Sequence, residues 1–318
     1  MGIKIIGTGK KLPAYKADNH KLATFLDTGD EWITSKTGIK ARTVCTKETL
    51  TDLAEEAART ALIKANTPPV DMIIGATMTG DYATPSLACC VLERLSNLCG
   101  PCPAFDVNAA CSGFIYALDA ADSAIRAGKA ETVLIVAAEM MSRMIDWDDR
   151  NTCILFGDGA CACVVARGDS LKYIHTTSDA NINLLFAKAG RGNNPFIEDI
   201  IPSGYLEMQG QSVYKFAVKA IEHEIHLALT ALNMTAEDVD LFLLHQANLR
   251  IIDGACARLK LPPEKFPQNI SEYGNMSAAS IPVLLDEMIE DGRIKAGDVI
   301  MMIGFGAGMT AGCAVLKW

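Results

Sequence analysis

The chain of 318 residues carries 29 Lys and Arg against 38 Asp and Glu, a formal net charge of −9, and half of its residues are hydrophobic. This balance excludes a disordered chain and disfavours nucleic acid as a general partner. No run of about 18 uninterrupted apolar residues occurs, so no membrane span is predicted. With 11 cysteines and no apolar leader at the amino end, the sequence predicts free thiols in a reducing cytoplasm.

In chain order, a short strand and turn at the amino end lead to an amphipathic helix over 52–65. The apolar run Val70–Ile74 reads as a buried strand, and Leu87–Leu95 as a helix. Ala104–Val107 reads as the end of another strand. From Gly113 to Ala127, Phe114, Ile115, Leu118, Ala121 and Ile125 recur at helical spacing. Cys111 thus sits at a strand-to-helix turn, where unpaired N–H groups and the helix dipole favour a thiolate. A strand at Thr132–Val136 and a glycine turn, Phe156–Ala162, precede the strand Cys163–Ala166. The second part repeats this order: a helix over 213–232, the strand Leu241–Leu244 ending in His245, a polar loop Asn269–Pro282 entering a helix, the strand Asp298–Ile303, and the glycine turn Phe305–Ala311 before the strand Cys313–Leu316.

The repetition predicts two similar α/β halves, residues 1–168 and 169–318, with a site where they meet. Val70-Asp71 is matched by Val239-Asp240, 169 residues on, whereas Phe156-Gly157 is matched by Phe305-Gly306, only 149 on. The first half therefore carries about 20 additional residues, which we assign to 80–103. In this register the carboxamide of Asn275 falls at a position comparable to that of Cys111. His245 stands at a strand's carboxyl end, where α/β sheets gather ligands. Cys111, His245 and Asn275 together form the candidate catalytic set. Cys99-Gly100-Pro101-Cys102 spells a thioredoxin-like motif, but it follows a helix instead of opening one, which disfavours redox chemistry. His223 and His226 share a helix face without a third ligand and read as solvated residues.

The chain resembles the 3-oxoacyl-[acyl-carrier-protein] synthase III family of the thiolase-like superfamily. The resemblance rests on IIGTGKKLP near the start, TGDEWITSKTGI (28–39), DVNAACSGF (106–114), RNTCILFGDGA (150–160), LLHQANLRI (243–251), YGNMSAASIP (273–282) and GFGAGMTAG (304–312). It implies a duplicated fold in five layers, α-β-α-β-α, and a cytoplasmic homodimeric acyltransferase with no metal and no cofactor beyond its CoA thioester substrate. Cys111 would take an acyl group from acyl-CoA, with the N–H groups of Cys111 and Gly306 as oxyanion hole. His245 and Asn275 would then stabilise the enolate formed as malonyl-acyl carrier protein loses carbon dioxide.

The same resemblance implies that Trp32 and Arg150 sandwich the adenine of CoA and that Thr28, Gly210 and Asn248 line the pantetheine path. Lys36 stands where the family usually has Arg; it keeps the charge for a CoA phosphate and loses the bidentate fork. Lys215, Arg250, Arg258 and Lys260 would form the basic rim that docks the acidic carrier protein. Thr84 would lie at the far end of the partner subunit's acyl pocket, where a small residue leaves room for longer or branched primers. A thiolase-type second cysteine in the glycine loop Gly304–Gly308 is missing, which excludes non-decarboxylating thiolase chemistry. The alternative reading is a related condensing enzyme or acyltransferase of secondary metabolism that uses the same acyl-cysteine.

Overall fold

A computed structural model describes residues 2–190, 196 and 203–318. The first sheet is built from β1 (Gly2–Lys11), β2 (Met72–Ala76), β3 (Ala104–Val107), β4 (Thr132–Met140) and β5 (Asp158–Gly168), in the order β1-β5-β4-β2-β3. The second sheet is built from β6 (Leu171–Ser178), β7 (Leu241–Leu244), β8 (Val299–Gly306) and β9 (Thr310–Lys317), in the order β6-β9-β8-β7. Pairing repeats as well: β5 runs antiparallel to both β1 and β4, as β9 does to β6 and β8, while β4/β2 and β8/β7 are parallel. Among the described residues the edge strand β3 has no counterpart in the second sheet.

The strand period of two divides the core into layers. Ile74 and Ile135 face inward toward α3 (Gly113–Arg126), whereas Ile73 and Leu134 face outward toward α1 (Leu50–Lys64) and α2 (Leu87–Arg94). The middle layer is α3 with α6 (Ser280–Glu290). Phe114, Ile115, Leu118, Ile281 and Leu284 are buried there between the two sheets. The outer face of the second sheet is covered by α4 (Gly210–Leu232) and α5 (Leu249–Leu259) through Ile221, Ile225, Ile251 and Phe242. This is the five-layer α-β-α-β-α arrangement. Strands with both faces covered need continuous apolar runs, and all nine residues of β4 are buried.

The structure corrects the internal register. Asp71 Oδ2 accepts from Thr132 N–H at 3.0 Å and Asp240 Oδ2 accepts from Val299 N–H at 2.7 Å, which confirms the Val-Asp match. Phe305 and Gly306 end β8, but Phe156 and Gly157 precede β5, so the two glycine turns are not equivalent in the sheets. The surplus of the first half is the connection 141–157 between β4 and β5; its counterpart between β8 and β9 is the short turn Ala307–Met309. The surplus is therefore not at 80–103. Met141, Ile145, Cys153, Ile154 and Phe156 pack into a satellite core with Leu22, Ile33, Leu185 and Leu206.

Asn275 also shifts. Ala110 and Ser277 both have φ 49° and open matching 3-10 turns, Ala110–Ser112 and Ser277–Ala279, which run into α3 and α6. Asn108 Oδ1 accepts from Ala110 N–H (3.3 Å) as Asn275 Oδ1 accepts from Ser277 N–H (2.8 Å). Asn275 is thus the counterpart of Asn108, and Cys111 that of Ala278.

Candidate active site

The first 3-10 turn, through Ala110 and Cys111, and Asn275, which leads into the second turn, line a cavity of about 630 Å³. Cys111, His245, Asn275, Phe305 and Gly306 all line it, so the candidate catalytic set comes together from both halves. Each group has a local reason for its position. Ala110 in the left-handed region makes the sharp turn that delivers Cys111 to the start of α3. His245 N–H bonds Ile303 O at 2.9 Å, which continues the parallel β7/β8 ladder one residue beyond the strand. The Asn275 loop is stitched to the 141–157 connection, with Asn275 N–H on Leu155 O at 2.8 Å and Gly157 N–H on Asn275 O at 3.0 Å. Since Ser277 N–H occupies Asn275 Oδ1, the carboxamide is oriented with its NH₂ as the remaining donor.

Electrostatics separate the three groups. Burial alone pushes the His245 imidazole down to about 3, so the ring is neutral. Among the described residues its Nδ1 is buried without a partner, which assigns the ring proton to Nε2, since an unpaired buried donor costs more than an idle acceptor. Phe305 holds the ring edge-on at 5.1 Å between centroids. The Cys111 thiol is pushed up to about 12, chiefly by burial and further by the charge of Glu139, with a hydrogen bond to Ser277 opposing. The helix terminus does not overcome burial, so the thiol is the resting form. Glu139 and Ser277 escaped the sequence reading. The available signal was a lone acid within the apolar strand TVLIVAAEM, a costly placement unless it is hydrogen-bonded.

Toward the mouth, the cavity is lined by Trp32, Lys36, Gly210, Lys215, Asn248 and Arg250. Asn248 caps α5 through Arg250 N–H at 2.9 Å and donates to Lys36 O at 3.2 Å, while Arg250 reaches Ser35 O at 2.9 Å. These bonds tie α5 to the helix Asp30–Thr37. Arg150 lies outside the lining, with Cζ 5.2 Å from the Trp32 ring centroid and Nη1 on Asp27 O at 2.7 Å. A base stacked between the two needs about 7 Å, so Arg150 must swing outward to admit one. Thr28 is off the lining and its Oγ1 is buried without a partner among the described residues. Arg258 is paired with Glu222, and Lys260 is exposed at the end of α5, so neither reaches the cavity. Thr84 is exposed and outside the cavity of its own chain. Cys99 is buried and its thiol raised to about 11, unlike a redox thiol. No cluster of three metal-ligating side chains occurs among the described residues.

Residues 105–181 match the family described as 3-oxoacyl-[acyl-carrier-protein (ACP)] synthase III, and residues 229–318 match its C-terminal family. The chain is 44% identical to beta-ketoacyl-[acyl-carrier-protein] synthase III of Aquifex aeolicus, with all of both chains covered. It is 43% identical to the Clostridium perfringens protein of that name, covering 99% of this chain and 98% of the relative. The crystal structure of the Aquifex aeolicus synthase III superposes with a TM-score of 0.91 at 42% identity over the whole of both chains. That of the Pseudomonas aeruginosa PAO1 synthase III does so with 0.93 at 35%, covering all of this chain and 98% of that one. A priming beta-ketosynthase of the R1128 polyketide pathway gives 0.91 at 32%, covering 99% and 96%. With this likeness over its full length and the cavity built as described, the chain belongs to the 3-oxoacyl-[acyl-carrier-protein] synthase III family, condensing enzymes of the thiolase-like fold.

Proposed function

We propose that this chain condenses an acyl-CoA primer with malonyl-acyl carrier protein to give 3-oxoacyl-carrier protein, carbon dioxide and CoA, initiating fatty-acid synthesis. The convergence of Cys111, His245, Asn275 and Gly306 on one cavity floor carries this reading. Cys111 attacks the primer thioester, and its oxyanion is met by the N–H groups of Cys111 and Gly306. CoA leaves and an acyl-cysteine remains. The malonyl thioester then loses carbon dioxide, its enolate oxygen receives hydrogen bonds from His245 Nε2–H and Asn275 Nδ2, and its carbon attacks the acyl-cysteine. A neutral imidazole and an amide suit this role because neither readily protonates the carbanion.

The CoA moiety occupies the wall of Trp32, Lys36, Gly210 and Asn248, with Arg150 and Thr28 at its outer end. Lys215 and Arg250 at the mouth, with Lys260 at the far end of α5 and Arg258 beside its partner Glu222, give this side a positive edge in an acidic chain, which favours an acidic carrier protein. The duplicated units divide at 168/169, between β5 and β6. We read the enzyme as a cytoplasmic homodimer joined along β3, a strand with a single neighbour in its sheet and Phe105 41% exposed, with Thr84 at the partner's acyl pocket. The secondary-metabolism alternative is the weaker reading, since the full-length relatives of Aquifex aeolicus and Clostridium perfringens, above 40% identity, are beta-ketoacyl-[acyl-carrier-protein] synthases III and the polyketide priming enzyme is at 32%.

The test is incubation with acyl-CoA followed by peptide mapping. One acyl group on the Cys111 peptide is expected, discharged as 3-oxoacyl product with carbon dioxide when malonyl-carrier protein is added. Label on another cysteine, or none, overturns the reading.

A further inference from the structure

Glu139 is fully buried at the end of β4, beneath the cavity floor. Its two oxygens are used unequally. Oε2 accepts from Thr77 Oγ1 (3.3 Å), Met78 N–H (3.2 Å) and Thr79 Oγ1 (2.5 Å). Oε1 accepts only from Ser277 Oγ, at 3.2 Å. Ser277 opens the 3-10 turn that packs against the Cys111 turn, and its hydroxyl bears on the Cys111 thiol. A path therefore runs from Cys111 across the two packed turns to Ser277 Oγ and on to Glu139 Oε1, and it ends on the oxygen with capacity to spare. Arg143 approaches the same turn but bonds the carbonyls of Thr79 and Gly80 and the Asp81 carboxylate. The groups that bear on Glu139 are these three hydroxyls, one amide and the Cys111 thiol, and no cation among the described residues pairs with it.

The geometry points to Glu139 as the store for the Cys111 proton, reached through the hydroxyl of Ser277. The inference rests on the acylation chemistry proposed above. As Sγ forms its bond to the primer carbonyl carbon, the thiol proton passes to Ser277 Oγ while the hydroxyl proton passes to Glu139 Oε1. The carbon–sulfur bond to CoA breaks, and the CoA thiolate takes its proton from solvent at the open mouth. During condensation the bond between Sγ and the acyl carbon breaks, and Glu139 returns its proton through Ser277 to the departing Cys111 thiolate. One proton is thus held inside the enzyme for the lifetime of the acyl-cysteine, and the net reaction consumes one from water.

Two further facts favour this route. Burial raises the Glu139 carboxyl to about 7, against the restraint of its donors, so both of its forms are available near neutral pH. His245, held near 3, is a poor acceptor for a thiol proton.

The experiment is single-turnover acylation by acyl-CoA, read as CoA release and acyl mass across pH 5–9, in the full chain and in Glu139→Gln and Ser277→Ala. In the unaltered enzyme the rate should rise through a step near pH 7. Both variants should acylate about 10²-fold more slowly, the low end of what a positioned base contributes, and should lose that step. Variants that acylate at the original rate, or slowly but with the step intact, overturn the proton store and leave the acyl-cysteine reading standing. If Glu139→Gln fails to fold, Ser277→Ala decides by the same two outcomes. Failure of the unaltered enzyme to form any acyl-cysteine removes the underlying function instead.

Discussion

A Cβ built on Gly306 would lie 2.7 Å from the backbone nitrogen of Cys111 and 3.1 Å from its Cβ, so the second half's β8 closes directly over the first half's nucleophile. Glycine is required here for close approach, since its φ of −169° is ordinary extended backbone. Gly306→Ala should displace the Cys111 turn and spoil the oxyanion site. Acylation is expected to fall by about 10²–10³, with the melting temperature reduced by a few degrees at most. Acylation within threefold of the unaltered rate would show that the turn yields and that the N–H pair is not the oxyanion hole.

His245 and Asn275 serve the second half-reaction. His245→Ala and Asn275→Ala should still form acyl-Cys111, yet release carbon dioxide from malonyl-carrier protein about 10²–10³ more slowly. The Asn275 change also frees Ser277 N–H, so a modest loss of stability should accompany it. Equal loss of both half-reactions in His245→Ala would assign that residue to the tunnel or the fold.

Much of this arrangement was legible because each strand and helix of the two halves has its own local signal. The apolar runs read at 70–74, 104–107 and 241–244 fall on the strands Met72–Ala76, Ala104–Val107 and Leu241–Leu244, with Cys111 and His245 beyond the last two. The register between halves was not legible from the glycine turns. Phe-Gly near a strand looks alike whether the strand is ending, as at Phe305, or about to begin, as at Phe156; only sheet pairing separates the two. The equivalence of Asn275 with Asn108 was hidden for a similar reason, since it depends on backbone conformation at Ala110 and Ser277, residues of different type. The pull of a helix terminus on Cys111 was visible in sequence. The opposing burial and Glu139 charge come from tertiary packing and prevail in the free chain.

The neutrality of His245 has a consequence for pH. Its folded pKa lies near 3 against an ordinary 6.5, so between these values the unfolded chain binds the proton and the native one does not. Stability from this group is present above about pH 6.5 and is lost progressively as pH falls toward 3. A ¹³C- or ¹⁵N-resolved histidine titration should show the His245 ring neutral throughout pH 5–8. An inflection for His245 at or above pH 6 would overturn the assignment of a neutral donor.

Arg42 makes the last prediction. It has no exposed surface and, among the described residues, pairs with no carboxylate; its guanidinium donates to Ala17 O at 2.9 Å, Asn19 Oδ1 at 2.8 Å and Ile154 O at 2.9 Å. Burial lowers it to about 10, which still leaves it charged at neutral pH. These bonds join the hairpin Tyr15–Asp18/Ala41–Val44 to the 141–157 connection, and through Asn19, which donates to Asp30 Oδ1 at 2.9 Å, to the helix that carries Trp32. Arg42→Met keeps most of the apolar volume and strands three buried acceptors, each worth about 1–3 kcal/mol when unpaired. Relief from burying a lone charge offsets part of this, leaving a net loss of about 3 kcal/mol. The melting temperature should fall by about 4–5 °C. The KM for acyl-CoA should rise while the decarboxylation rate of the surviving fold is kept, because the loosened helix bears on the CoA wall and not on His245 or Asn275. A variant with unchanged melting temperature and KM would show that the guanidinium is replaceable by packing alone.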